Sequence, residues 1–286
     1  MKNLFEHTSS TWVRYSNYEY RSADGVLYIT PTADSTPILY DPLESYAVLV
    51  VDALNLGRTA ARERDCSHLQ ADVLAFVRKY GLLGFLTALP TTPAFMDYKQ
   101  VYLPKNHFIR AESMSTEDYL NLFFPFESLD VVKQGIHSRW NLSGDKAMMA
   151  LAMTLADRPT AVAMCCQRQY AERYDWIVQV LQDWAFTFLT GFLYYLDDEK
   201  MDDLTKEIFH RGMSAFGGAA PTYHIELRER PTMVWDFHSM LLQVQFMLSV
   251  MLTDEHCRVS CCPNCGRVFL SSESGAHLCE ECRGKL

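Results

Sequence analysis

The clearest chemistry in this sequence lies in four cysteines: Cys262-Pro263-Asn264-Cys265 and Cys279-Glu280-Glu281-Cys282 form two Cys-x2-Cys pairs. Two residues between cysteines let one tight turn present both sulfurs to a metal. Two such turns supply the four soft ligands, at about 2.3 Å each, that a tetrahedral Zn²⁺ takes. All four positions are filled by protein, so the expected zinc is structural, with no open coordination position for a water or a substrate. Nearby substitutes exist in His256, Cys257, Cys261 and His277, with Cys261 the first of them because it adjoins Cys262. The remaining thiols, Cys66, Cys165, Cys166, Cys257 and Cys261, read as plain buried or surface cysteines.

Other groups able to do chemistry are scattered. Arg62 and His68 stand at a spacing seen in some helical ribonucleases, but a helix start is expected between them. His224, His238 and the pair Cys165-Cys166 have no visible catalytic partner. The carboxylates Asp197, Asp198, Glu199, Asp202 and Asp203 lack the Gly and the twelfth-position Glu of a calcium loop, and read as a solvated helix start. A zinc site is therefore expected, and no catalytic residue is assigned.

The elements that must position the cysteines are short. Gly266 permits the first turn, Arg267 to Leu270 read as a strand, Ser271 to Gly275 as a hairpin tip, and Ala276 to Leu278 as the return to the second turn. Upstream, an apolar segment opened by Pro231 reads as a helix that leads through Asp254-Glu255-His256 into this ribbon without a spacer. The ribbon is thus expected to dock on the preceding body, with Phe269 as the contact.

The expected fold is mainly α (α+β): a helical body, one small amino-terminal antiparallel sheet, and a carboxy-terminal zinc ribbon. Residues 1–40 alternate in strand fashion at Trp12–Tyr15, Tyr18–Tyr20, Val26–Ile29 and Ile38–Tyr40. Residues 41–256 form the helical body, with a link at 212–221, and 257–286 form the ribbon. Within the body, helical spacing marks Asp41 to Leu56, followed by a polar link from Gly57 to Asp65. Ser67 with Gln70 three residues on forms a capping box, and Gly81 a stop. Further helices begin at Ser115-Thr116 and at Lys146. The longest, around Trp176 to Leu196, is apolar on two adjacent ridges.

Composition narrows the classes. The 286 residues are 49% hydrophobic, enough to bury a core, and the net charge of −9 argues against a generally basic nucleic-acid surface. Trp176–Leu196 and Phe237–Leu252 carry too many polar residues for the roughly 20 apolar ones that a membrane span needs. Met1 to His7 lack the apolar run of a signal peptide, so a reducing, cytoplasmic location is expected.

The segment Ala71 to Gly84, together with Cys-Pro-Asn-Cys-Gly-Arg-Val-Phe-Leu and Cys-Glu-Glu-Cys-Arg, resembles the bacterial CGNR zinc-finger proteins, a group mostly taken as transcription regulators. The resemblance implies zinc held by Cys262, Cys265, Cys279 and Cys282, and DNA as the partner of the finger. The family's Cys-Gly-Asn-Arg stands here as Cys282-Arg283-Gly284-Lys285. Phosphate contacts would fall to Arg258, Arg267, Arg283 and Lys285. These are opposed by Glu273, Glu280 and Glu281 and by the −2 of a zinc tetrathiolate, which leaves the module at about −1. The competing reading is a protein-interaction or structural module in a larger assembly, in which zinc folds a hairpin too small to fold alone.

Overall fold

The computed structural model describes residues 7–62, 67–86, 99–102, 108–127, 162, 165–197, 201–215, 221–237, 239–253, 259–271 and 278–285. The expected helix from Lys146 and the charge at Arg258 fall outside them. Among the described residues the strands are β1 (Thr8–Ser9), β2 (Trp12–Tyr15), β3 (Tyr18–Ala23), β4 (Val26–Pro31), β5 (Pro37–Tyr40), β6 (Gln100–Tyr102), β7 (Ser113–Ser115), β8 (Glu172–Arg173), β9 (Thr222–Leu227), β10 (Pro231–Asp236), β11 (Val259–Cys261) and β12 (Val268–Leu270). The helices are α1 (Tyr46–Arg62, after a 3-10 turn at Pro42–Ser45), α2 (Ser67–Tyr80), α3 (Thr116–Asn121), α4 (Tyr174–Asp197), α5 (Asp203–Ala215), α6 (Met240–Thr253) and α7 (Glu280–Arg283).

The strands contradict the expectation of one amino-terminal sheet on a mainly helical body. They form five small sheets, ordered β1-β10-β9, β2-β5, β3-β4-β8, β6-β7 and β11-β12, so the fold is mixed α+β. The four amino-terminal strands read from the sequence are present, but β2 and β5 pair apart from β3 and β4. The latter two take β8 as a third strand, through Tyr28↔Arg173 and Ile29↔Glu172. Pairings this distant along the chain leave no local signature. Pro231 opens a strand and not a helix: β10 pairs antiparallel with β9 from Pro231↔Leu227 to Asp236↔Thr222. Its apolar positions fit either period, and the β-branched and aromatic Thr232, Val234 and Trp235 favour the pleat.

The chain divides into two compact units. One comprises Met1–Asp41, Val77–Ile177 and Pro221–Leu241, and the other Pro42–Phe76, Val178–Ala220 and Leu242–Leu286. In the first unit Trp12 is fully buried, and its indole Nε1 donates to Leu82 O at 2.9 Å. Gly81 ends α2 at φ +88°, where its N–H donates to Val77 O at 2.7 Å, as the sequence stop signal requires. The segment beyond it is held by the buried carboxylate of Glu172. That group accepts the N–H of Leu83 (2.7 Å), Gly84 (2.6 Å) and Phe85 (2.9 Å), and the hydroxyl of Tyr170 (2.6 Å). Burial nonetheless raises the Glu172 carboxyl above the ordinary carboxylate range. Ser115 caps α3 by accepting from Asp118 N at 2.9 Å.

In the second unit α1 runs unbroken through Arg62, past the link expected from Gly57. Gly57 is a packing glycine: a Cβ there would run into the carbonyl of Leu181 on α4. Residues 212–215 of the link expected at 212–221 belong instead to α5, which continues through Ala215, and 216–220 lie outside the described residues. Asp202 precedes α5 and accepts from Thr205 N at 2.8 Å, which holds its carboxyl below the usual range and fits the helix-start reading of the acidic cluster. Among the described residues no helix is long and apolar enough to cross a membrane.

Candidate metal centre

The first Cys-x2-Cys pair sits at the tip of a hairpin. Strands β11 and β12 pair through Val259↔Leu270, Ser260↔Phe269 and Cys261↔Val268, so the knuckle itself is the turn. Two backbone bonds close it, Cys262 N to Arg267 O at 2.8 Å and Gly266 N to Cys262 O at 2.6 Å. Gly266 has φ +70°, a conformation that strains any residue with a Cβ. The tip expected at Ser271–Gly275 lies, apart from Ser271, outside the described residues. The second pair is built differently. Cys279 stands at the amino-terminal cap of α7 with extended backbone, and its sulfur makes no capping bond. Cys282 follows one turn later, its N–H donating to Cys279 O at 3.1 Å.

These two devices bring the sulfurs of Cys262, Cys265, Cys279 and Cys282 within 4.8 Å of one another, positioned to hold a metal ion. The sulfurs of Cys265 and Cys279 are 3.6 Å apart. A tetrahedron with metal–sulfur bonds of about 2.3 Å has edges of about 3.8 Å, so a small contraction completes the site. Cys262, Cys279 and Cys282 are buried, with Phe269 and Leu278 packed against them, whereas Cys265 is exposed and leaves a side for the ion to enter. Phe269 therefore covers the cysteines. The ribbon meets α1, through Asn55 on Val268 and Arg58 on Cys265 O.

Electrostatics acts in opposite senses on Cys262 and Cys282. The backbone N–H groups of Cys279, Cys265 and Asn264 hold the Cys262 thiol down to about 6, so that it ionises readily. Asn264 Nδ2 donates to Cys282 Sγ at 3.3 Å, which favours that thiolate. Burial and the neighbouring thiols of Cys265, Cys279 and Cys262 outweigh it and push Cys282 up to about 11. With a dication held by the four cysteines this difference would be overridden, because coordinating thiols are deprotonated outright. Cys261 is not among the four: its thiol donates to Gly266 O at 3.3 Å, and burial raises its pKa. His256, Cys257 and His277 lie outside the described residues.

The hairpin is fixed to α1 by side chains that sequence reasoning passed over. Asn55 reads the backbone of Val268 in both directions, donating Nδ2 to its O at 2.8 Å and accepting its N–H at 2.9 Å. Arg58 donates to Cys265 O at 2.8 Å. The space beside Gly266 is filled by the Arg58 and Arg62 guanidinium groups, 2.8 and 3.1 Å from where a Cβ would stand. Two positive charges thus lie against a centre that carries −2 once four thiolates hold a dication. Asn55, Arg58 and Arg62 share one helical face at i, i+3 and i+7, and that polar stripe was the available signal.

Of the residues expected to meet phosphate, Arg267 is already engaged. Arg267 pairs with Glu281, joining the hairpin to α7, and this ion pair holds the guanidinium's pKa up. Arg283 and Lys285 are exposed at the end of α7, and Arg258 is not described. Arg62 faces the first knuckle while His68 is exposed on α2, so they lend no support to the ribonuclease-like spacing. Comparison of the chain with protein-family models, curated proteins and solved structures finds no match.

Proposed function

We propose that the protein is a zinc-binding structural or protein-interaction module, in which Zn²⁺ on Cys262, Cys265, Cys279 and Cys282 clamps a hairpin and a short helix onto α1. The observation that carries this reading is the two-way hydrogen bonding of Asn55 with Val268, reinforced by Arg58 on Cys265 O. A hairpin of three-residue strands cannot bury enough apolar surface to fold alone, and a metal closes that gap. Zinc is favoured over other ions because four thiolates in a closed tetrahedral set suit it. A reducing, cytoplasmic location would keep those thiols available.

The test is elemental analysis with thermal unfolding. Protein made without chelator is expected to carry one zinc per chain, and Cys279→Ser is expected to lose both the metal and stability. Less than half an equivalent of zinc, or an unchanged melting temperature after metal removal, would overturn the proposal. The DNA-binding reading that follows from the CGNR resemblance makes a separate prediction. With Arg267 paired to Glu281, contacts from Arg283 and Lys285 alone give a slope of about −1.8 in log K against log salt, and adding Arg258 gives about −2.7. Binding of zinc-loaded protein to a duplex with such a slope would favour a regulator, and no binding at low salt would leave the structural reading.

A further inference from the structure

Strand β9 has a neighbour on one side only. Its sheet runs β1-β10-β9, and among the described residues nothing pairs with its outer side. The orientation of its backbone follows from β10. Trp235 N donates to His7 O at 3.0 Å and Phe237 N to Ser9 O at 2.9 Å, so the odd-numbered residues of β10 turn their N–H groups away from β9. The register sets Trp235 against Tyr223, Met233 against Ile225 and Pro231 against Leu227. These are non-hydrogen-bonded pairs, as the missing N–H of Pro231 also demands. By alternation Tyr223, Ile225 and Leu227 present N–H and C=O to the open edge.

The same three residues form an apolar row that the fold does not cover. Tyr223 is 63% exposed, Ile225 65% and Leu227 86%, with Met233 beside them at 42%. A six-residue edge strand of this kind is a ready template for strand addition, and neither a proline nor a lysine within Thr222–Leu227 blunts it. The opposite face of β9 carries His224 and Glu226, and Glu226 also pairs with Arg228.

We infer that β9 pairs antiparallel with β9 of a second copy of this chain, about a two-fold axis at Ile225, to make one continuous sheet. This register places Ile225 opposite Ile225, Tyr223 opposite Leu227 and His224 opposite Glu226, so the apolar row is continuous and the charges are complementary. Each apolar pair is then a hydrogen-bonded one. A shift of the axis to residue 224 sets His224 against itself, and a shift to residue 226 sets Glu226 against itself, which like charges disfavour. The interface is isologous and closes on itself, so it stops at a dimer.

Sedimentation equilibrium on the full zinc-loaded chain tests this. The expected mass is twice that of the 32.9 kDa chain. Leu227→Lys, at a position with little contact to its own chain, and Ile225→Lys, which sets two ammonium groups on the axis, should each weaken association at least tenfold with unchanged circular dichroism. A wild-type monomer, including one that binds an extended peptide of another protein instead, would overturn the inference, as would lysine variants that remain dimeric. The register is read by oxidation: Ile225→Cys should cross-link to itself above the wild-type background, and Tyr223→Cys should not. The reverse pattern would sink it.

Discussion

Replacing Asn55 with alanine removes both hydrogen bonds that tie β12 to α1. Val268 is 2% exposed, so water does not readily replace the lost amide at its N–H and C=O. Each buried group left unpaired costs about 1–3 kcal/mol, and partial relaxation at the hairpin edge brings the sum to about 2–4 kcal/mol. For a chain of 286 residues that is a fall in melting temperature of about 3–7 °C. The assay is thermal unfolding of zinc-loaded protein, followed by the rate of zinc transfer to a chromophoric chelator, which should rise because the hairpin is freed to open. Asn55→Asp sharpens the test. It keeps an acceptor for Val268 N–H but sets a carboxylate oxygen against Val268 O, so it should do no better than alanine. A melting temperature and a transfer rate indistinguishable from wild type would refute the idea that α1 holds the metal module.

Three further outcomes are expected. Glu172→Gln sets an amide where one oxygen accepted Leu83 N–H, and should cost about 1–3 kcal/mol, while Glu172→Ala orphans three N–H groups and the Tyr170 hydroxyl and should cost more; equal melting temperatures would show that the loop does not depend on this clamp. Gly57→Ala drives a methyl into the Leu181 carbonyl and should cost about 1–3 kcal/mol in urea unfolding, unless α1 and α4 can separate freely. His224 is hydrogen-bonded by Asp236 at 2.6 Å, which raises its pKa above 6.5. The stabilisation is therefore full below 6.5 and lost as pH rises through the folded value, so the melting difference between wild type and His224→Gln, followed from about pH 5 to 8, should shrink towards the alkaline end.

What the sequence revealed was whatever a few neighbouring residues decide. Two Cys-x2-Cys turns specify their ligand geometry within four residues each, Ser115 caps α3 through a bond three residues long, and Gly81 ends α2 through its own φ. Partnerships across the chain left no such mark. The apolar positions of Pro231–Asp236 fitted a helix as well as a strand, and only β9, across a three-residue turn, decides between them. Nothing beside Glu172 in the sequence marks its burial, because the groups that bind it lie in the loop from Leu83 to Phe85. Gly57 resembled a break in a helix because its reason, the Leu181 carbonyl, lies on another helix.

The bonds between Asn55 and Val268 span 213 residues of sequence. At about 5–20 residues per second of synthesis, α1 leaves the ribosome about 10–40 s before its docking partner exists. Through that interval the stripe of Asn55, Arg58 and Arg62 keeps the waiting face hydrated, which an apolar face of the same area could not do without recruiting a chaperone. The cysteine centre has no such wait, since its ligands lie close together in sequence and can capture an ion as soon as they emerge. Val268 emerges 14 residues ahead of Cys282, so the anchor of the hairpin on α1 and the last of the four cysteines become available within about 1–3 s of one another.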